Sequence, residues 1–321
     1  GPSRPRPERW PDWGLGRRSR FVKDPESAAN EPNFRRGAGC QSAAMREMAF
    51  LSVVNVRDAR VWQIASLSLL LTFGIARLGF DQTPAAAALV LATALVTQYV
   101  CGRLVGLAHF DPASPLITGL SLSILLRATD ASWLMLAAVV AIASKFVIRV
   151  DGKHVFNPAN VGIAALLVTT DAAWISPAQW GSTTWGVFLF VALATLVLSR
   201  ARRGDIAIAF LVCYGAILLA RALWLGDPWA IPMKQMQSGA LLLFAFFMIS
   251  DPKTTPDRRD MRLVFAALVA MLAAYLQFVL YRPEGLVLAL FFLSPLVPVI
   301  DRVCPRERRA PRFQWSNPVL N

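Results

Sequence analysis

The sequence predicts an all-α integral membrane protein of about ten transmembrane helices, arranged as two inverted five-helix repeats that include short discontinuous half-helices. Three observations lead there. Of 321 residues, 55% are hydrophobic and only 17% charged, which is more apolar surface than a soluble domain of this size can bury. Apolar windows of membrane-crossing length recur along the chain. Lys and Arg gather in alternate loops rather than on one face, so the net charge of +13 does not describe a nucleic-acid-binding surface.

Residues 1–58 read as a basic, disordered cytoplasmic arm in which Trp10, Trp13 and Phe21 stand among Arg and Pro. Either a solvated tail or a segment docked on anionic lipid or a partner subunit fits that composition. No apolar h-region occurs in it, so the first helix is expected to direct insertion. The first membrane repeat, 59–170, contains the windows Val61–Phe80, Pro84–Gly106 and Ala131–Ile148. An outer loop follows at 171–183. The second repeat, 184–303, contains Thr184–Ser199, Ile206–Leu225, Leu263–Tyr281 and Gly285–Ile300, and a basic cytoplasmic tail closes the chain at 304–321. These windows are roughly 16 to 23 residues long, enough at 1.5 Å per residue to cross a hydrocarbon core of about 30 Å, the shortest with local bilayer thinning.

Basic residues in short loops face the cytoplasm. With the N-terminus inside, the inner loops hold Arg149 and Lys153, then Arg200, Arg202 and Arg203, then Lys253, Arg258, Arg259 and Arg262, and the tail adds Arg302, Arg306, Arg308, Arg309 and Arg312. Outer loops hold little beyond Arg127, Lys234 and Arg282. Both termini are therefore expected on the cytoplasmic side.

An even count requires three short crossings, Pro115–Leu126, Pro158–Thr169 and Ser238–Ile249, each about 12 residues or about 18 Å. Such pieces are tolerated at membrane depth where other helices satisfy their ends, and in matching positions of two halves they point to a buried site. Ile117-Thr118-Gly119-Leu120 leads through an apolar run to Asp130, as Gln237-Ser238-Gly239-Ala240 leads to Asp251. Each run precedes a full-length span and then a polar-Pro pair, Asn157-Pro158 in one half and Ser294-Pro295 in the other. An odd number of crossings separates the copies, which inverts them.

The densest polar stretch among the apolar windows runs from Lys145 to Gly162. Asn157 suits an N-cap and Pro158 the first helical position. The N–H groups and positive dipole end of that half-helix favour an anionic group, with Lys153 and His154 adding to the effect; phosphate, carboxylate or a reduced flavin ring would fit. The alternative is a capped re-entrant helix whose basic neighbours snorkel to headgroups. Lys145 and Arg149, at i and i+4, share a helical face near the inner end of their span, either as functional cations or as snorkelling ones. His109 and His154 have no ligand-like spacing, and Cys40, Cys101, Cys213 and Cys304 form no CxxC, so no metal is expected. No nucleophile–base pair, P-loop or dinucleotide fingerprint is present.

Three segments resemble the RnfD/NqrB family, the membrane subunits that hold flavin in ion-translocating ferredoxin- or NADH-linked oxidoreductases. They are Ser114-Pro115-Leu116-Ile117-Thr118-Gly119-Leu120; the block from Ser144-Lys145 through Arg149 to Lys153-His154-Val155-Phe156-Asn157-Pro158-Ala159; and Ser238-Gly239-Ala240 with Phe246 to Pro252, ending at Pro295 to Asp301-Arg302. Together they extend over roughly residues 110–302. The resemblance implies ten helices in two inverted repeats, flavin as cofactor and electron transport as activity. Family members carry a Ser-Gly-Ala-Thr-like motif in the outer loop, whose Thr receives FMN as a phosphoester. Here the loop reads Gly181-Ser182-Thr183-Thr184, and Ser238-Gly239-Ala240-Leu241 has Leu where Thr is needed. The resemblance thus implies FMN or riboflavin held noncovalently and no covalent flavin.

The resulting expectation is a membrane subunit of an electron-transport assembly, with flavin between the half-helices. Lys145, Arg149, Lys153, His154 and Asn157 would line its inner half-site, and Thr118, Gly119, Ser238 and Gly239 would allow close backbone approach. Ion transport or a specialised pathway such as enediyne biosynthesis would supply the setting. The expected partners are the lipid bilayer and other membrane or redox subunits, without nucleic acid. The rival reading is a transporter or channel for a small solute or flavin on the same fold, or an assembly scaffold.

Overall fold

The computed structural model describes residues 58–107, 110–176 and 204–305. The expected N-terminal arm, His109, loop residues 177–183, the Thr184–Ser199 window, the Arg200–Arg203 loop and the tail beyond residue 305 lie outside the described residues.

Among the described residues, four helices are long and apolar enough to cross a membrane: α1 (Ala59–Arg77), α2 (Pro84–Leu104), α6 (Gly204–Leu225) and α9 (Arg259–Phe278). Side chains at the start of α1 and α2 cap otherwise unpaired N–H groups. Asp58 accepts from Arg60 N at 2.9 Å, and Thr83 accepts from Ala86 N at 3.1 Å with Pro84 following. Shorter apolar helices are α3 (Ala113–Leu125), α4 (Ala131–Val147) and α5 (Pro158–Thr169). A fourth joins α8 (Gly239–Leu243) to a π-helical turn at Phe244–Met248, after the small α7 (Ala230–Met236). The last segment is α10 (Gly285–Leu293) and α11 (Leu296–Val303), bent by 44°.

That bend corrects one expectation. Asn157-Pro158 opens α5, whereas Ser294-Pro295 lies between α10 and α11, inside the crossing rather than at its start. Pro295 supplies no N–H and crowds the preceding turn, which breaks the helix. Ser294 Oγ donates to the Leu290 carbonyl at 2.6 Å within the break.

Among the described residues, two short antiparallel ladders mark opposite ends of α4 and α5. At one end β2 (Arg149–Val150) and β3 (Lys153–His154) form a hairpin with Arg149 opposite His154. Its two-residue turn is Asp151-Gly152, both at positive φ, the conformation that such hairpins require. At the other end β1 (Leu126–Ala128), which continues from α3, pairs with β4 (Ala173–Ile175), which follows α5. The ladder is extended by Thr129 N donating to Ala172 O at 2.9 Å and Ser176 N donating to Leu125 O at 2.7 Å. Loops expected inside meet at the hairpin end, where Lys153 pairs with Asp257 and Asp301.

The packing order repeats. In the first half α4 packs against α2 and α5; in the second α9 packs against α6 and α10. Small residues set both second contacts. A Cβ on Gly162 of α5 would fall 2.6 Å from the Ala137 carbonyl oxygen of α4, and one on Gly285 of α10 would fall 2.8 Å from the Ala273 carbonyl oxygen of α9. Close backbone approach of this kind replaces the hydrophobic effect as a driving force between helices in lipid. Leu67, Leu70, Ile142, Phe210, Phe244 and Phe265 fill the core. This is an all-α membrane protein.

Candidate functional site

The polar side chains that the sequence singled out converge only in part. Asn157 works as expected: its Oδ1 accepts from Asn160 N at 3.2 Å and caps α5, with Pro158 next. Its Nδ2 reaches across to the Met248 carbonyl at 3.4 Å and Asp251 Oδ2 at 3.5 Å, joining the start of α5 to the end of the π-helical turn. The wide π turn, in which Ile249 N donates back to Phe244 O at 3.0 Å, delivers that carbonyl and the loop carrying Asp251.

Lys153 and His154 stand next to each other in β3, and each meets a carboxylate from the second half. Lys153 Nζ lies 2.7 Å from Asp257 Oδ1 and 3.5 Å from Asp301 Oδ2. Asp301 in turn accepts from Asp257 N at 2.8 Å. His154 Nε2 is 3.8 Å from Asp251 Oδ2, a spacing for an ion pair when the ring is protonated. Burial opposes ionisation of Asp251, but the adjacent His154 and the Lys253 N–H and charge outweigh it. Its carboxyl therefore lies below the ordinary aspartate range.

Lys145 belongs to a different grouping. It is buried in α4, and its Nζ donates to Gln98 Oε1 of α2 at 2.8 Å and to Ser114 Oγ of α3 at 3.0 Å. Both partners are neutral, and an ammonium has three N–H donors. Arg149, the other half of the i, i+4 pair, is exposed on β2 and donates to the Gly152 carbonyl at 2.9 Å. Thr118 returns its hydroxyl to the Ser114 carbonyl at 3.1 Å, and Gly119 admits Leu91 of α2, whose Cδ2 would lie 2.9 Å from an added Cβ. Thr118 and Gly119 thus serve α3 and its packing on α2. Ser238 takes the N-cap position of α8, and Gly239, which follows it, is buried.

The groups the sequence reading passed over are mostly acidic. In the sequence reading Asp251 only ends an apolar run, and Asp257 and Asp301 have no role. Asp257 is 104 residues from Lys153 and Asp301 is 148 residues from it, so no local spacing signals the contact. Asn160, fully buried, has neither amide atom bonded among the described residues; its position one turn after Asn157 was visible.

This arrangement does not fit a phosphate at the inner end. An anion there would face Asp251, Asp257 and Asp301, with Lys153 already shared by two of them. An uncharged ring beside Lys145 meets no such opposition.

The family match falls on the second half of this geometry. The NQR2, RnfD, RnfE family matches residues 171–309. Over those residues the chain is similar to that family. The match covers α6 to α11 and leaves the Lys145–Ala159 block outside. The D component of the ion-translocating oxidoreductase complex of Klebsiella pneumoniae (strain 342) is 33% identical over 128 residues, 38% of this chain and 34% of its own length. The corresponding component from Citrobacter koseri is 30% identical over 123 residues, with the same coverage, and that from Stutzerimonas stutzeri 39% over 89 residues, 26% of this chain and 24% of its own. The chain spans about a third of the length of the first two of these curated relatives.

Proposed function

We propose that this chain is a membrane subunit of an electron-transport assembly of the NQR2/RnfD type, sited in a bacterial cytoplasmic membrane with both termini on the cytoplasmic side. Other membrane and redox subunits are its partners. The reading rests on the family match over α6 to α11 joined to one observation: among the described residues the hydrogen bonds of the buried Lys145 ammonium go to the neutral Gln98 and Ser114. An ionisable residue buried in an apolar helix is a functional candidate by default.

The cofactor in this reading is a noncovalently held flavin, in the riboflavin rather than the FMN form because of the carboxylates at the inner end. When bound, such a ring supplies one- and two-electron redox chemistry. The chain's part is electrostatic. In a low-dielectric span the Lys145 ammonium favours negative charge on a neighbouring group, Gln98 and Ser114 fix its direction, and the Asn157 cap holds the half-helix in register. His154 and Asp251 face each other at the inner end, 3.8 Å apart.

Acid extraction of the purified protein, followed by flavin fluorescence, tests this. The parent and Arg149→Ala should release riboflavin in near-stoichiometric amounts, and Lys145→Met should release little while still inserting. Equal release from Lys145→Met and the parent, or none from a folded parent, moves the assignment to the transporter reading.

A further inference from the structure

The opposite end of the bundle contains a cation with part of its donor set unused. Arg127, in β1, is 4% exposed. Its Nη1 donates to the Ser123 carbonyl at 2.9 Å and the Leu126 carbonyl at 2.8 Å, which closes the C-terminus of α3 where the helix dipole is negative. Its Nε and Nη2 have no hydrogen-bond partner among the described residues. Nε–H and Nη2–H form one edge of the guanidinium, the fork that binds a carboxylate or phosphate through two parallel hydrogen bonds.

Two further buried groups share this condition. Ser123, whose carbonyl Arg127 already holds, has an unpaired Oγ, and Gln82 has an unpaired Nε2. Gln82 lies two residues beyond Phe80, whose ring centroid is 6.0 Å from Arg127 Cζ. The Arg and Gln atoms can only donate, and a hydroxyl can donate, so the complementary partner is rich in acceptors. Burial lowers the pKa of Arg127, and the charge of Asp81 opposes this without forming an ion pair. The strand is anchored by its ladder with β4, so relaxation of the backbone toward water is not an easy remedy.

We infer that Arg127, assisted by Ser123 and Gln82, forms a binding site for an oxyanion, a phosphate or carboxylate group, at the end of the bundle opposite the Lys153 hairpin. Capping α3 requires Nη1 alone. A buried guanidinium edge without a partner costs free energy that a bidentate anion recovers.

The full chain in phosphatidylcholine nanodiscs, titrated with sodium phosphate or sodium acetate against a chloride control, should show a saturable rise in its thermal unfolding midpoint. Arg127→Lys keeps the charge and loses the fork, and should weaken the apparent affinity at least tenfold, the scale of one charge-assisted contact. Ser123→Ala and Gln82→Leu should weaken it by smaller factors. In phosphatidylglycerol discs a lipid headgroup as the source predicts an already raised midpoint, dependent on Arg127, with no further response to phosphate; a soluble anion as the source predicts the same titration in both lipids. Either outcome supports the site. A parent response to phosphate, acetate and phosphatidylglycerol that Arg127→Lys fully retains, or no response, would overturn it. Should the Arg127 variants fail to insert, unchanged responses in both Ser123→Ala and Gln82→Leu would do the same.

Discussion

At the hairpin end of the bundle, charge meets charge: Lys153 with Asp257 and Asp301, Arg60 with Asp58 and Asp111, Arg262 with Asp205. At the β1–β4 end, Arg127 is more deeply buried than any of these cations, yet among the described residues its hydrogen bonds go to backbone carbonyls. Lys145 resembles Arg127 in that, among the described residues, its hydrogen bonds go to neutral groups rather than to a carboxylate. The contrast separates two uses of a buried cation. A paired one ties helices together, and its removal should register in stability. One held by neutral groups remains able to attract an anion, and its removal should register in binding.

The contrast breaks most visibly at Asp205. Its carboxylate accepts from Arg262 Nε at 2.9 Å, linking α6 to α9, and both side chains are largely buried. Asp205→Ala should destabilise the protein by about 3 kcal/mol, because an unpaired Arg262 remains; denaturant unfolding in mixed micelles would measure it, and a neutral result would show that the pair is not a tie. Lys153→Ala should cost less, about 1 kcal/mol, since the ammonium is half-exposed and partly screened. Its flavin content, per folded molecule, should match the parent. This differs from the expectation drawn from sequence, in which Lys153 held the ligand.

A pH profile sharpens the comparison. Asp251 titrates below its unfolded value of about 3.9, so its stabilisation is complete above that value and disappears as pH falls through the lower folded one. Thermal midpoints recorded from about pH 6 down to about pH 3 should therefore fall more steeply for the parent than for Asp251→Asn. Parallel profiles would remove Asp251 from the ties. The smallest effect is expected at Arg149, exposed on β2, where Arg149→Ala should change stability by less than about 0.5 kcal/mol.

Apolar windows of crossing length and capping chemistry made most of the helices legible in the sequence. The Pro158–Thr169 half-helix has its expected limits, and the Pro84 and Ala131 starts are where the composition placed them. Gly239–Met248 came out short as expected, but its π turn was not readable, because a widened turn depends on packing rather than composition. The Ser294 break was visible as a polar-Pro pair and was placed at the wrong point of its crossing, since the same dipeptide chemistry serves a helix start and a helix break. The site was harder. Asn157 declared itself through local cap geometry, while the partners of Lys153 and His154 come from the other half of the chain. Arg127 resembled an ordinary loop cation; only the pairing of β1 with β4 buries it.

The difference spectrum of the purified chain, oxidised minus chemically reduced, tests the central claim most directly. A subunit that holds a flavin beside Lys145 should show a bleachable flavin band that returns on reoxidation, and the band should be absent from folded Lys145→Met. A folded parent protein with no such band, or a band of equal size in Lys145→Met, would contradict the account.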